Sequence, residues 1–187
     1  LCAPVRAALP EKVDYLIIAA DDLYEGCAPL LEYRSRQGYA TAAVKASEAC
    51  GGSPLAAGAA TRLAAFVRKA HESCGVRYLL LVGDARGNPG AMVPTVVGPS
   101  GYYSRQVLSD PEVASDFPYA TLGTGAPQLH VGRFSLDTPA KLAAAINKTI
   151  AYETQAPAGT WQRRIGFLTG VLGYSPVVDA IAETVFA

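Results

Sequence analysis

The chain has 187 residues, half of them apolar, so it is long enough to bury a core of its own. We expect a single domain over residues 1–187. The 16 Lys and Arg residues balance 16 Asp and Glu residues, and no basic cluster stands out, which argues against a nucleic-acid partner or an anionic membrane surface. The longest apolar runs, at 15–20 and 78–82, are far shorter than the roughly 20 residues that span a bilayer, so we expect no membrane partner.

The first elements are predicted from a short apolar run that is followed by acidic residues. Residues 14–20 are rich in β-formers and lead into Asp21-Asp22, which indicates a buried parallel strand with polar side chains at its carboxyl end. A helix should follow and end at Gly38. Residues 39–45 alternate enough to indicate a second strand.

The next stretch repeats this order. Apolar residues between 55 and 74 recur at helical spacing and predict an amphipathic helix that Gly75 ends. Its apolar positions are Leu63, Phe66, Val67, Ala70 and Cys74. Residues 77–82 then form a continuous apolar strand that Gly83-Asp84 closes. Alternation of strands and helices predicts right-handed crossovers and a mainly parallel sheet covered on both faces.

The periodicity breaks down between about residues 85 and 128. This segment is rich in Gly, Pro, Ser and Tyr, with a weakly extended stretch at 92–97, and it indicates a long insertion or a small hairpin. A long segment without periodicity inside a compact domain is usually functional or mobile.

Regular structure is predicted again after the insertion. Residues 129–134 form a strand, and a helix follows with Thr138 as N-cap and Pro139 at its first position. The inward face of that helix is expected to carry Leu142, Ala145, Ile146, Thr149 and Ile150. Residues 165–169 predict a fifth strand, and residues 177–186 a further helix.

Cysteine and histidine are the candidates for nucleophilic chemistry or metal binding. The four cysteines have no C-x-x-C spacing and no paired histidines, so a zinc site is not expected. His71 falls on the helix that ends near Cys74, and His130 falls inside a strand; a structural role is favoured for both. We assign no catalytic residue in this chain.

Several short motifs together carry a resemblance to a known family. They are Asp14-Tyr-Leu-Ile-Ile-Ala19, Tyr78-Leu-Leu-Leu-Val-Gly83-Asp84, Ser115-Asp116-x-x-Tyr119, Leu129-His-Val-Gly132-Arg133-Phe134-Ser135, Ile150-Ala-Tyr-Glu153 and Trp161. Their order and spacing resemble the gingipain family of clan-CD cysteine peptidases over about residues 13–187. The resemblance implies a caspase-like three-layer αβα sandwich with a mainly parallel sheet of about four or five strands.

The resemblance also implies that the catalytic residues lie outside this chain. In that family the catalytic His lies in a Gly-His-Gly segment and the catalytic Cys on a later strand, and both lie downstream of the region matched here. We therefore expect a non-catalytic first subdomain whose partner is a downstream catalytic subdomain or a second chain of the same precursor. A chain processed near Ala187, a protein or peptide substrate, and a secreted or cell-surface location are implied as well.

One substrate-binding residue is carried over from the family. Members that cleave after basic residues place an Asp in the primary specificity pocket, and Asp179 aligns there. A carboxylate near a helix N-terminus is also common for electrostatic reasons alone, so both roles stay open. The acidic residue that orients the catalytic His in relatives is missing from 170–173, which suggests an unassisted His or a lost activity.

Other polar residues have two open interpretations. Arg133 could hold the insertion or the partner half by a bidentate contact, for which Asp116 is a candidate, or be a solvated arginine. Asp21, Asp22 and Asp84 follow strands at the edge where α/β sheets bind ligands, although capping or loop hydrogen bonding is favoured.

Cofactor and disulfide chemistry follow only from the resemblance. It allows a calcium ion, for which Asp110, Glu112 and Asp116 could supply oxygen ligands, although their spacing matches no dedicated loop. An oxidising compartment would permit a disulfide such as Cys50 with Cys74, without selecting among pairings.

Two further functions compete with the peptidase subdomain. A catalytically inactive binding or scaffold module would use the tyrosines from Tyr102-Tyr103 to Tyr119 as its contact surface. A flavodoxin-type domain would bind phosphate at the first strand-to-helix turn, but the acidic run from Asp21 to Glu25 opposes an anion there.

Overall fold

The computed structural model describes residues 9–99, 112–157 and 159–164. The chain divides into two compact units, Leu1–Glu153 and Thr154–Ala187. The predicted single domain over 1–187 stays a prediction. In the second unit the described structure is the end of a long helix and a 3-10 helix at Thr160–Arg163; the predicted strand at 165–169 and helix at 177–186 lie outside the described residues.

The first unit is built on a sheet whose four strands all run parallel. The strands are β1 (Tyr15–Ala19), β2 (Thr41–Lys45), β3 (Tyr78–Val82) and β6 (His130–Phe134), in the spatial order β2-β1-β3-β6. Two strands of a separate antiparallel hairpin, β4 (Val96–Pro99) and β5 (Glu112–Ser115), lie between β3 and β6 in sequence. The hairpin confirms one of the two structures predicted for the insertion.

Five α-helices connect these strands in the described part of the chain. They are α1 (Ala28–Arg36), α2 (Ala46–Ala49), α3 (Ala59–Cys74), α4 (Phe117–Thr121) and α5 (Pro139–Gln155). Short 3-10 helices lie at Asp21–Leu23, Glu25–Cys27 and Pro89–Ala91. The sequence predicted α1, α3 and α5, whereas α2 and α4, each five residues or fewer, were too short to produce a helical period.

Local signals end and start the long helices where the sequence predicted them. Gly75 adopts φ 79° and its N–H bonds to the His71 carbonyl, which closes α3. At the start of α5 the Thr138 hydroxyl accepts the Lys141 N–H, and Pro139 takes the first helical position. Both predictions are confirmed.

Helices cover both faces of the sheet, which gives the three-layer α/β architecture that the sequence predicted. Tyr15 and its register partners face α1 and α5, because Arg34 of α1 lies over the Tyr15 ring and bonds Glu153 of α5. Arg133, of opposite parity on β6 to His130, faces the side of α3 and α4. The central strands are therefore buried on both faces: Leu16, Ile17 and Ile18 are fully enclosed.

Four aromatic rings form a cluster at the amino-terminal edge of the sheet. Tyr15, Tyr78 and His130 are register partners on adjacent strands, and Tyr39 precedes β2. The Tyr78 ring stacks on His130 with a centroid distance of 5.2 Å and meets Tyr39 edge to face at 5.5 Å. Ring contacts of this kind add to apolar burial and hold the strand starts in register.

Candidate functional site

Arg133 makes the densest set of polar contacts at the carboxyl edge of the sheet. Its Nε donates to Asp116 Oδ2 at 2.7 Å and its Nη2 to Asp116 Oδ1 at 2.8 Å, a bidentate pair. Nη1 donates to the carbonyls of Gly83 at 2.9 Å and Val93 at 3.0 Å, and Nη2 also to Pro94 at 3.4 Å. All five N–H groups of the guanidinium thus have acceptors. Of the two interpretations that the sequence left open, the bidentate contact with Asp116 is confirmed, and the solvated arginine is wrong.

This set of contacts, called here the Arg133 clamp, joins three parts of the fold. Arg133 lies on β6, Gly83 directly follows β3, and Val93 and Pro94 precede the hairpin. Asp116 follows β5 and leads into α4. The clamp therefore fixes both ends of the hairpin to the carboxyl ends of two parallel strands.

The carboxylate of Asp116 is held in its ionised form. Burial disfavours the charge, but the hydrogen bonds and charge of Arg133, with a bond from the Thr95 hydroxyl at 3.0 Å, outweigh it and lower the pKa of Asp116. An acceptor that is charged and bonded on both oxygens makes stronger hydrogen bonds than a neutral one. The clamp is therefore closed across the neutral pH range.

Tyr119 also binds the segment that precedes the hairpin, at Pro94. Its side chain is fully buried, and its hydroxyl donates to the Pro94 carbonyl at 2.8 Å. Burial, with the nearby negative charge of Asp116, raises the pKa of Tyr119. The proposed contact surface from Tyr102-Tyr103 to Tyr119 is therefore wrong at Tyr119, which packs in the core; Tyr102 and Tyr103 lie outside the described residues.

Gly83 occupies a position that no side chain fits. Its φ is 143°, and a Cβ built there would lie 2.8 Å from the Ala91 carbonyl oxygen and 3.0 Å from Ala20 Cβ. Its N–H donates to the Phe134 carbonyl while its own carbonyl accepts from Arg133. The Gly after β3 lets the backbones of two strands and a loop approach closely at this edge.

Two acidic residues that follow strands accept hydrogen bonds from backbone N–H groups. Asp21 Oδ1 accepts the Ser47 N–H at 3.1 Å, and Asp84 Oδ1 accepts the Ala85 N–H at 2.7 Å. Ser47 lies in the first turn of α2, so Asp21 bonds a helix start and Asp84 bonds within a loop; capping or loop hydrogen bonding, the interpretation favoured from the sequence, is confirmed for both. Asp22 lies against Gly90, where a Cβ would collide with its carboxylate.

The three described cysteines are free thiols. Cys27 and Cys50 are buried, Cys74 is partly buried, and the Cys50–Cys74 disulfide that the resemblance permitted is not formed. Burial raises the pKa of Cys27 to about 11, and burial, as the largest of several effects, raises that of Cys50 to about 11 as well. A thiol that stays protonated at neutral pH is a poor nucleophile. Cys2 lies outside the described residues.

Both histidines have structural surroundings. His71 Nδ1 contacts the Val76 carbonyl at 2.8 Å, and His130 stacks on Tyr78 at the amino-terminal edge of the sheet. Neither lies with a cysteine at the carboxyl edge. Among the described residues, therefore, no His/Cys pair lies together at the carboxyl edge of the sheet.

Metal and membrane features can be assessed only within the described ranges. There, no group of three or more His, Cys, Asp or Glu side chains could hold a metal ion. Of the three candidate calcium ligands, Asp116 is engaged by Arg133 and Thr95, and Asp110 lies outside the described residues. In the same ranges no helix has the length and apolarity needed to cross a bilayer.

Two predictions lie wholly outside the described residues. Asp179 and the segment 170–173, where the acid that orients the catalytic His is missing from the sequence, are not placed. The pocket role of Asp179 stays a prediction.

A second bidentate pair was missed by the sequence analysis. Arg34 donates to Glu153 through Nη1 and Nη2 at 2.7 Å each, and the Tyr33 hydroxyl donates to Glu153 Oε2 at 3.0 Å. Glu153 belongs to one of the resemblance motifs, but Arg34 carries no local signal because its partner lies 119 residues away. Only the packing of α1 beside α5 brings them together.

Comparison with known proteins agrees with this architecture. The solved structure of a dimeric latent PorU from Porphyromonas gingivalis matches with a TM-score of 0.60 and 21% identity, over 92% of this chain and 18% of that chain. A structure described as a protease matches with a TM-score of 0.56 and 22% identity, over 78% of this chain and 29% of that one. The chain thus spans less than a third of the length of either, and at these identities the likeness concerns the fold. No curated protein matches.

The sequence itself assigns the family. A sequence model of Peptidase family C25 matches residues 8–187, nearly the whole chain. The parallel sheet, the clamped insertion and the motif order described above are contained in that match. The chain belongs to peptidase family C25, the gingipain family of clan CD.

Proposed function

We propose that this chain is the amino-terminal, non-catalytic subdomain of a gingipain-like cysteine endopeptidase. It packs against a downstream catalytic subdomain that carries the His/Cys dyad, and it forms one wall of the substrate cleft. The protein acts on protein or peptide substrates outside the cell or at its surface. Two observations support this proposal. The family model matches residues 8–187, and the described residues contain no His/Cys pair at the carboxyl edge of the sheet.

The observation that carries the cleft role is the Arg133 clamp. Open α/β sheets bind ligands at the carboxyl ends of their strands, and the clamp fixes an inserted hairpin at that edge. A wall of a binding cleft has to be rigid, and five donors on one guanidinium provide that rigidity.

Asp179 is the proposed specificity residue. A carboxylate in the primary pocket would bind an Arg or Lys side chain of the substrate by a charge-assisted contact. In the complete protein, Asp179→Ala should lower kcat/KM for cleavage after Arg or Lys far more than it lowers the midpoint of thermal unfolding. An equal loss for substrates with apolar residues at the same position would contradict the pocket assignment.

The assay that tests the whole proposal uses the complete protein and an active-site thiol label. We expect cleavage of peptides after basic residues and labelling of a cysteine downstream of residue 187, with Cys27 and Cys50 unlabelled. Absence of cleavage together with a folded protein would favour the second candidate, a catalytically inactive binding module. Exposed Val97, Val113 and Phe117 on and beside the hairpin favour that candidate.

A further inference from the structure

The loop that follows β3 has two fixed ends and an exposed tip. At its ends the Asp84 N–H donates to the Ala91 carbonyl at 3.0 Å, and the Val93 N–H donates to the Asp84 carbonyl at 3.0 Å. Ala91 and Val93 are buried in the core. Between them, residues 86–89 are all exposed. The tip of this loop therefore projects into solvent from a base that the core holds in place.

Few interactions hold the tip in its folded conformation. The Ala85 N–H donates to Asp84 Oδ1 at 2.7 Å. The Gly90 N–H donates to Asn88 Oδ1 at 3.2 Å, and the Asn88 carbonyl accepts the Ala91 N–H at 3.0 Å. None of residues 85–90 is buried. Opening the tip breaks few hydrogen bonds and exposes no core side chain, so it costs far less free energy than global unfolding. Exposed loop tips of this kind are preferred sites of proteolytic nicking.

Arg86 differs from the other described basic residues in the place of the peptide bond that follows it. Most of the others lie within helices or strands: Arg34, Arg36, Lys45, Arg62, Arg68, Lys69, Arg133, Lys141, Lys148 and Arg163. Lys12 precedes the buried Val13, and Arg77 precedes the first residue of β3. The bond after Arg164 leads outside the described residues. Within the described ranges Arg86 is therefore the basic residue whose following bond lies in an exposed loop tip.

We propose that the Arg86–Gly87 peptide bond is a site of limited proteolysis by an endopeptidase that cleaves after arginine. Water adds across the bond, so Arg86 acquires a carboxylate and Gly87 a free amino group. The Arg86 side chain is exposed and available to a specificity pocket. A Cβ at Gly87 would meet nothing within 4 Å, so the other side of the bond is unobstructed. The inference does not depend on the proposed function, since a separate peptidase of this specificity makes the same cut.

The cut leaves the first unit folded as two associated chains. β6, which follows the cut, pairs along its length with β3, which precedes it. Two further hydrogen bonds join the same parts of the chain: Arg133 donates to the Gly83 carbonyl, and the Gly83 N–H donates to the Phe134 carbonyl. The nick thus frees the loop tip and keeps the sheet. It also places a new carboxylate and a new ammonium group at the carboxyl edge, which we propose as a wall of the cleft.

The test compares two trypsin cuts in the complete protein over a series of urea concentrations. Peptide mass mapping gives the cleavage rate after Arg86 and after Lys69, which lies inside α3. Trypsin activity in each solution is calibrated with a small peptide substrate. Below the unfolding transition, the rate after Arg86 should change little with urea, because local opening exposes little surface, whereas the rate after Lys69 should rise steeply. Without urea, the cut after Arg86 should be about a hundredfold faster. Equal rates, or a common dependence on urea, would overturn the proposal.

Variants and a sizing experiment test the site and the two-chain state separately. Arg86→Gln should abolish this cut, whereas Lys69→Gln, the matched control in α3, should leave its rate unchanged. The nicked protein should elute with the intact protein in gel filtration and separate into fragments on a denaturing gel. Fragments that separate in native buffer would overturn the two-chain state. Protection of the Arg86–Gly87 bond in the folded complete protein would overturn the site itself.

Discussion

Arg34 on α1 and Glu153 on α5 are joined by two parallel hydrogen bonds of 2.7 Å, across 119 residues of sequence. The guanidinium also lies 5.5 Å from the centre of the Tyr15 ring, so the pair closes over the first strand. The two helices on this face of the sheet are thereby tied to each other and to β1.

Loss of this pair should destabilise the first unit measurably. Glu153→Ala leaves the largely buried Arg34 guanidinium with the Gln37 side chain as an acceptor but without a carboxylate, and should lower the free energy of unfolding by about 1–2 kcal/mol. Chemical denaturation measures it. Glu32→Ala, which removes an exposed partner of Arg36 on the same α1, is the control and should have no measurable effect; equal losses in both variants would contradict a special role for Glu153.

The Arg133 clamp should tolerate no substitution, including lysine. Lysine has three donors on one nitrogen and cannot reach five acceptors in a plane, so Arg133→Lys should cost about 2–3 kcal/mol of unfolding free energy. Denaturant titration monitored by circular dichroism gives the value. Lys141→Arg, at the exposed pair with Asp137, should change nothing. If Arg133→Lys left the free energy of unfolding unchanged, the clamp would depend on charge alone and not on the geometry of its hydrogen bonds.

Stability should fall with acid through the clamp carboxylate. The folded pKa of Asp116 lies below its unfolded value, so its contribution is fully present above the unfolded pKa of about 4 and is lost as pH falls through the folded pKa. The difference in unfolding free energy between the wild-type protein and Asp116→Asn should therefore shrink between neutral pH and about pH 3. A difference that stayed constant over this range would show that the charge of Asp116 is not what the clamp uses.

Because other atoms lie so close to Gly83, its substitution by alanine should lower stability far more than the same substitution at Gly98. Gly83→Ala would force a Cβ against the Ala91 carbonyl at an unfavourable φ and should cost about 2–4 kcal/mol. Gly98→Ala, within β4, meets nothing within 4 Å and should be close to neutral. Thermal unfolding of the two variants checks the contrast; similar midpoints would mean that the loop around Gly83 adjusts without cost.

The buried thiols should react slowly. Because burial holds the pKa of Cys27 and Cys50 at about 11, iodoacetamide at pH 7.5 should modify them only after unfolding. Peptide mass mapping of the native protein should find Cys74, which is partly exposed, modified before Cys27 and Cys50. Rapid native labelling of Cys50 would show that its environment opens.

The sequence was sufficient for the parts of the fold that have a period or a local signal. The strand at Tyr78–Val82 is a continuous apolar run, and α3 carries a helical stripe, so both were predicted within a few residues. The Arg133–Asp116 contact was one of two interpretations that the sequence left open, because a planar guanidinium suits a bidentate carboxylate but can equally be solvated. Short α2 and the Arg34–Glu153 pair were not predicted, since neither has a local signal and both depend on packing.

The alternative contact surface failed at Tyr119 for a related reason. Tyrosine has both an apolar ring and a polar hydroxyl, so its sequence context does not tell burial from exposure. The Pro94 carbonyl, 25 residues away, satisfies the hydroxyl and allows the ring to be fully buried.

The order of strands in the sheet has a consequence for how the unit assembles. Tyr15 of β1 pairs with Thr41 across 26 residues of sequence and with Tyr78 across 63, and Tyr78 pairs with His130 across 52. Closing loops of this length costs chain entropy before any contact rewards it. We therefore expect the first unit to fold slowly compared with a helical bundle of the same size, whose contacts are local.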